Sequence, residues 1–169
     1  TPRLPAPWAL GPWLWRDEVA DQAAVEADLD TIRGLDLATT GYWIDRPYAT
    51  DVNSFDFIAS GYPDPAAMMT KAHDMGFEVA LWHTPYVDPD GAATAALYAE
   101  AEAAGYFAPV MATALAKWGP PLDFTNPAAV AWWRGLLGAY QDLGITGYKL
   151  DYAEEVIVGA FGTRLPWLF

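Results

Sequence analysis

The sequence predicts an α/β fold, a TIM (β/α)8 barrel of which about the first four β/α units are present. Three observations carry this expectation. Short apolar runs alternate with helical stretches in the order β-α-β-α-β-α-α-β, which argues for a parallel sheet with right-handed crossovers. Two of the apolar runs end in an acid, in Trp43-Ile44-Asp45 and in Lys149-Leu150-Asp151. No Gly-x-Gly-x-x-Gly or phosphate-loop pattern opens a helix, which counts against a nucleotide-binding doubly wound unit. A doubly wound sheet and a barrel both accommodate the alternation. The barrel is favoured because the polar residues sit at strand ends, where barrels keep their chemistry. A complete barrel takes about 250 residues, so residues 1–169 are expected to form a partial barrel domain. The missing initiator Met and the apolar ending Pro166-Trp167-Leu168-Phe169 read as cut termini.

In chain order, the aromatic run Trp8–Trp15 reads as the first strand. Asp17–Arg33 has helical spacing through Val19, Ala23, Val25, Leu29 and Ile32, with acids in the first turn and Gly34 as the stop. Leu37–Ile44 reads as the second strand and Arg46–Gly61 as a loop. Asp64-Pro65 opens the next helix, with Asp64 as N-cap and Pro65 in the first position, and the helix runs to a Gly76 stop. Phe77–Trp82 is almost continuously apolar, as a parallel strand buried on both faces should be. Thr94–Ala104 is an Ala-rich helix, and Gly105–Pro121 is irregular. Asn126-Pro127 repeats the cap-plus-proline start for a helix to about Leu143, ended by Gly144. A buried fourth strand from Ile145 leads to Asp151.

Composition narrows the function classes. The chain is 53% hydrophobic, so global disorder is not expected. Its formal net charge of −13 argues against nucleic acid and anionic membrane surfaces as partners. The absence of cysteine excludes disulfides, thiolate catalysis and Cys-based zinc sites. No His-x-His or His-Glu-x-x-His spacing occurs, so neither a metal nor another cofactor is expected. No signal-peptide pattern or transmembrane-length apolar run is visible, which leaves the compartment open. Nine Trp and nine Tyr supply core area and also flat faces for sugar rings. A half-barrel has two strand edges and an open core face, which favours aggregation or dimerisation, a homo-oligomer being one of the two outcomes.

Asp151 is the prime catalytic candidate. A carboxylate at a strand end is costly to bury unless something uses or pairs it. Its bland reading is a cap on the following turn. Asp45 has a bland reading as the ion-pair partner of Arg46, and Glu154 as a helix-start acid. Lys149 lies two residues before Asp151, on the same strand face, and a cation there favours a carboxylate neighbour. His83 follows the third strand and either lines a pocket or bonds the backbone. His73 is expected to be a surface or packing residue. Asp123 and Asn126 read as turn and cap residues, and at least one of Trp132 and Trp133 as core.

Four stretches, in order, resemble glycoside hydrolase family 31. They are Gly41-Tyr42-Trp43-Ile44-Asp45 with Phe55-Asp56-Phe57 and Tyr62-Pro63-Asp64-Pro65; His73-Asp74-Met75-Gly76-Phe77-Glu78-Val79 with Leu81-Trp82; Leu122-Asp123-Phe124-Thr125-Asn126-Pro127 with Trp132-Trp133; and Lys149-Leu150-Asp151-Tyr152-Ala153-Glu154. The resemblance implies a retaining α-glycosidase acting on a carbohydrate substrate. It implies Asp151 as nucleophile and Glu154 as a supporting residue of the same motif. Asp45 and Lys149 would contact sugar hydroxyls, and Trp118 would line a subsite. Trp43, Trp82 and His83 complete the expected substrate contacts. The general acid/base is expected beyond Phe169, with the family's flanking β-sandwich domains also outside the chain. The alternatives are an α-transglycosylase, a non-catalytic sugar-binding half-barrel and, more weakly, a metal-dependent hydrolase using His73 and His83. The α-galactosidases of family 36 match less well. The sugar and its linkage are unread.

Overall fold

The computed structural model describes residues 4–18, 21–108 and 118–152. The elements run as a 3-10 turn over Pro7–Leu10, then β1 (Trp13–Arg16), α1 (Gln22–Gly34), β2 (Gly41–Ile44), α2 (Pro65–Asp74), β3 (Glu78–His83), α3 (Ala95–Ala103), α4 (Pro127–Asp142) and β4 (Gly147–Leu150). The sheet order is β1-β2-β3-β4, with β1–β2 and β2–β3 parallel. On either side of β4, Thr146 N–H donates to Val79 O and Asp151 N–H to His83 O, an advance in the same sense along both chains, as parallel pairing requires. Each connection steps one strand over without reversing. A doubly wound sheet reverses direction at its switch point, so strand order resolves the open choice in favour of a partial (β/α) barrel. No helix among the described residues is long and apolar enough to cross a membrane.

The chain divides into two compact units. The first takes residues up to Tyr48, Phe57–Trp82 and Tyr140–Lys149. Its core sets Val25, Leu29 and Ile32 of α1 and Met68, Met69 and Ala72 of α2 among the buried strand residues Tyr42, Ile44, Val79 and Leu81. Both helices start where the sequence puts a side-chain cap. Asp21 Oδ1 accepts from Ala24 N–H, and Asp64 Oδ1 accepts from Ala67 N–H ahead of Pro65. The second unit takes Ala49–Asp56, His83–Ala139 and the chain from Leu150 on. Val87, Ala101, Leu122 and Trp133 form its buried cluster.

Several boundaries differ from expectation for identifiable reasons. Trp8–Trp15 is not one strand, because Pro7 starts a 3-10 turn and β1 begins only after Pro12. The first helix begins at Gln22 rather than Asp17, and its first turn holds no acid, because the Asp21 cap sets the start. Only Gly41–Ile44 of the expected second strand pairs. The preceding carbonyls of Leu37 and Thr39 are taken by the Arg33 guanidinium instead. That guanidinium also lies 3.7 Å from the Phe77 ring centroid, a placement no local pattern announces. The largely apolar β3 is buried from Val79 to Trp82, as expected, but His83, expected after the strand, is its last residue and is buried with it. β4, expected to be buried, is half-exposed with Leu150 open to solvent. It is the edge strand of the described sheet, with a neighbour on one side only.

Candidate functional site

In the first unit, Asp45 follows the last residue of β2 and is 3% exposed. Burial of a carboxylate demands donors, and three are present. Trp15 Nε1–H donates to Oδ2 at 2.8 Å, Arg46 N–H donates to Oδ1 at 2.9 Å, and Lys149 Nζ lies 3.5 Å from Oδ2. The bland pairing with Arg46 therefore runs through the Arg46 backbone. The Arg46 guanidinium lies 5.6 Å from the Trp82 ring centroid. Trp15 and Trp43 stack with centroids 5.6 Å apart, and Lys149 Nζ sits 4.6 Å from the Trp43 centroid. The carboxylate, the ammonium and two indoles thus form one polar-aromatic cluster. Its composition suits a ring bearing several hydroxyls, with charged groups for the hydroxyls and flat faces for the C–H bonds. Trp43 Nε1 is buried with no hydrogen-bond partner among the described residues. Trp82 is buried, and its carbonyl accepts from the Tyr48 hydroxyl at 2.9 Å.

In the second unit, Asp151 directly follows β4. Its N–H donates to His83 O at 2.9 Å, and its Oδ1 accepts from Tyr152 N–H at 3.0 Å. Tyr152 has a φ of +62°, in the left-handed region that bulky residues rarely occupy. The Tyr86 hydroxyl donates to Tyr152 O at 2.6 Å, and the Trp118 ring meets the Tyr152 ring edge-on at 4.5 Å. The side chain of Asp151 is only half-buried. The short β4 and the left-handed Tyr152 together turn the chain sharply at the acid.

His83 is 1% exposed, and its ring bonds a side chain rather than the backbone. Nδ1 pairs with Asn53 Oδ1 at 2.7 Å, and the ring stacks on Phe55. Asn53 Nδ2 donates to Thr84 O, Thr84 Oγ1 and Tyr86 O, which orients the carboxamide with Oδ1 toward the imidazole. That oxygen can only accept, so Nδ1 carries the proton. Burial pushes the His83 pKa down to about 3.

His73 is exposed on α2, the first of its two expected placements. Asp123 closes its turn by accepting from Thr125, and Asn126 caps α4 by accepting from Ala128 N–H. Trp133 is core, whereas Trp132 donates to Glu100. No cluster of three metal-ligating side chains occurs among the described residues. Glu154 lies outside the described residues. Sequence reading missed Trp15, Asn53, Phe55 and Tyr86. Asn53 and Phe55 sit in Arg46–Gly61, which reads as a loop, and Phe55 enters only as part of a family motif, with no role attached. Trp15 and Tyr86 carry no spacing signal for the partners they meet.

The family model for the glycosyl hydrolases family 31 TIM-barrel domain matches residues 2–166. The chain is 29% identical over 173 aligned positions to the alpha-xylosidase XylQ of Lactiplantibacillus pentosus, covering 91% of this chain and 21% of that protein. It is 27% identical over 165 positions to an alpha-xylosidase of Emericella nidulans, covering 92% and 21%. Among solved structures, a family 31 alpha-xylosidase from a soil metagenome, complexed with xylose, superposes with a TM-score of 0.74 at 24% identity, covering 87% of this chain and 22% of that one. The chain thus spans about a fifth of the length of the curated relatives it matches.

Proposed function

We infer the reaction from the family: the chain belongs to glycoside hydrolase family 31, and we propose that it carries the nucleophile and part of the sugar-binding site of a retaining α-glycosidase. Asp151 is the nucleophile. Its carboxylate attacks the anomeric carbon, the bond to the leaving oxygen breaks, and a second carboxyl group protonates that oxygen. That second group then takes a proton from water, which attacks the anomeric carbon and releases Asp151. Retention of configuration calls for the two carboxyl groups to stand about 5–5.5 Å apart. Asp45 and Lys149 hold sugar hydroxyls and orient the ring for attack, and Trp43 supplies a face. Trp118, against Tyr152 in the second unit, lines a subsite. Glu154 remains a supporting residue of the motif.

The observation that carries this reading is the position of Asp151. It is placed directly after β4, bonded through its main chain to the last residue of β3, where a barrel presents catalytic groups. The alpha-xylosidase relatives make α-xylosides the first substrates to test. In the full-length gene product, Asp151→Asn is expected to lower kcat by about 10⁴-fold or more, with an unchanged circular dichroism spectrum and melting temperature. Turnover within tenfold of wild type would falsify the assignment.

A further inference from the structure

We propose that Tyr86 and Asn53 are positioning residues for Asp151: they shape the segment after β3 into a clamp that fixes the peptide on the far side of the nucleophile. The inference rests on the reading of Asp151 as nucleophile and adds to it two residues which that reading does not use.

An aspartate carboxyl is one methylene away from its backbone, so its aim is set largely by the main chain around it. Here that main chain is in an unfavourable state. Tyr152 stands at φ +62°, and such a conformation persists only where its surroundings over-determine it. The restraints are visible. Before the side chain, Asp151 N–H is held by His83 O at 2.9 Å. After it, Tyr152 O is held by the Tyr86 hydroxyl at 2.6 Å. Between them, Tyr152 N–H reaches back to Asp151 Oδ1 at 3.0 Å. The Tyr152 N–H precedes that rotation, so its bond to the carboxylate is set at Asp151, and the left-handed turn fixes the Tyr152 carbonyl that follows. The Tyr86 bond holds that turn.

His83 therefore holds the chain at Asp151 and Tyr86 holds it at Tyr152, just past the acid, and β3 has ended at His83. What keeps residues 83 to 86 in shape is the Asn53 carboxamide. Its Nδ2 donates to Thr84 O at 2.9 Å, Thr84 Oγ1 at 2.8 Å and Tyr86 O at 2.8 Å. Its Oδ1 takes the His83 ring proton at 2.7 Å. Asn53, His83, Thr84 and Tyr86 are all buried, so water does not replace these bonds cheaply. Asn53 stands at φ +61°, a conformation asparagine adopts more readily than most residues. One amide thus replaces the strand pairing that the chain has left behind.

The test uses the full-length gene product and an α-configured xylose-type cyclitol epoxide that labels the nucleophile covalently. Tyr86→Phe removes one hydroxyl and leaves the ring in the core. Its labelling rate and kcat on an aryl α-xyloside are expected to fall about tenfold, while its affinity for free xylose and its melting temperature stay near wild type. Asn53→Asp keeps the acceptor for His83 but loses the Nδ2 donors, and the same split is expected. A wild-type labelling rate in either folded variant overturns the proposal. So does a fall in labelling matched by equal losses of xylose affinity and melting temperature, since that marks a purely structural role. Peptide mapping separates the two readings. An adduct away from Asp151 in the wild type sinks the nucleophile assignment and this inference with it, whereas an adduct on Asp151 with normal labelling in Tyr86→Phe sinks this inference alone.

Discussion

The His83 imidazole is enclosed by Phe55 and the Asn53 carboxamide, and burial pushes its pKa from 6.5 down to about 3. Between those values the unfolded chain binds a proton that the folded chain does not. The sign of the linkage follows: stability is fully present above about pH 6.5 and is lost as pH falls through the window toward pH 3. Urea midpoints are therefore expected to decline steadily from about pH 6.5 to about pH 4.5, before most carboxylates titrate. The variant His83→Asn should flatten that slope, and an equal slope in wild type and variant would contradict the burial argument. The same scale explains how Asp45 tolerates 3% exposure. Two N–H donors and the Lys149 ammonium surround it, and two of these partners, Trp15 and Lys149, lie far from it in the sequence. Sequence reading singled out Asp45 and Lys149 as candidates, but their pairing, and the role of Trp15 between them, depend on β1 and β4 being brought to β2.

At the scale of elements, local chemistry was the most readable. The Asp64-Pro65 start of α2 and the Asn126-Pro127 start of α4 both appear with their caps in place. Each rests on contacts within three residues, which a short window of sequence contains in full. Asp64→Ala removes the acceptor for Ala67 N–H and is expected to cost about 1 kcal/mol, readable as a lower urea midpoint with an unchanged slope. An unchanged midpoint would mean that Pro65 alone sets the helix start. Glycine is required at Gly76, where φ is +75° just past α2. Leu37–Ile44 reads too long because the Arg33 side chain competes for the backbone ahead of β2. Arg33 takes the carbonyls of Leu37, Thr39 and Met75, and β-propensity carries no information about such a competitor.

On the scale of the whole molecule, 22 acidic residues against 9 basic ones leave a net charge of −13 that opposes compaction. Raising salt from about 20 mM to about 200 mM shortens the Debye length several-fold, so the melting temperature is expected to rise. A fall would instead mean that the surface pairs Arg16–Asp28 and Lys71–Asp30 outweigh the repulsion. The sequence by itself determined the alternation of strands and helices, the two proline-marked helix starts, the acids at strand ends and the family they resemble, because periodicity, caps and motifs are all written in neighbouring residues. Only the tertiary structure decided three things. The first is the sequential strand order that separates a barrel from a doubly wound sheet. The second is the burial of Asp45 against Trp15 and Lys149. The third is the Asn53–His83–Tyr86 network around Asp151. Each depends on which distant side chain reaches a given donor or acceptor first, and that is settled by the path of the backbone in space rather than by spacing along the chain.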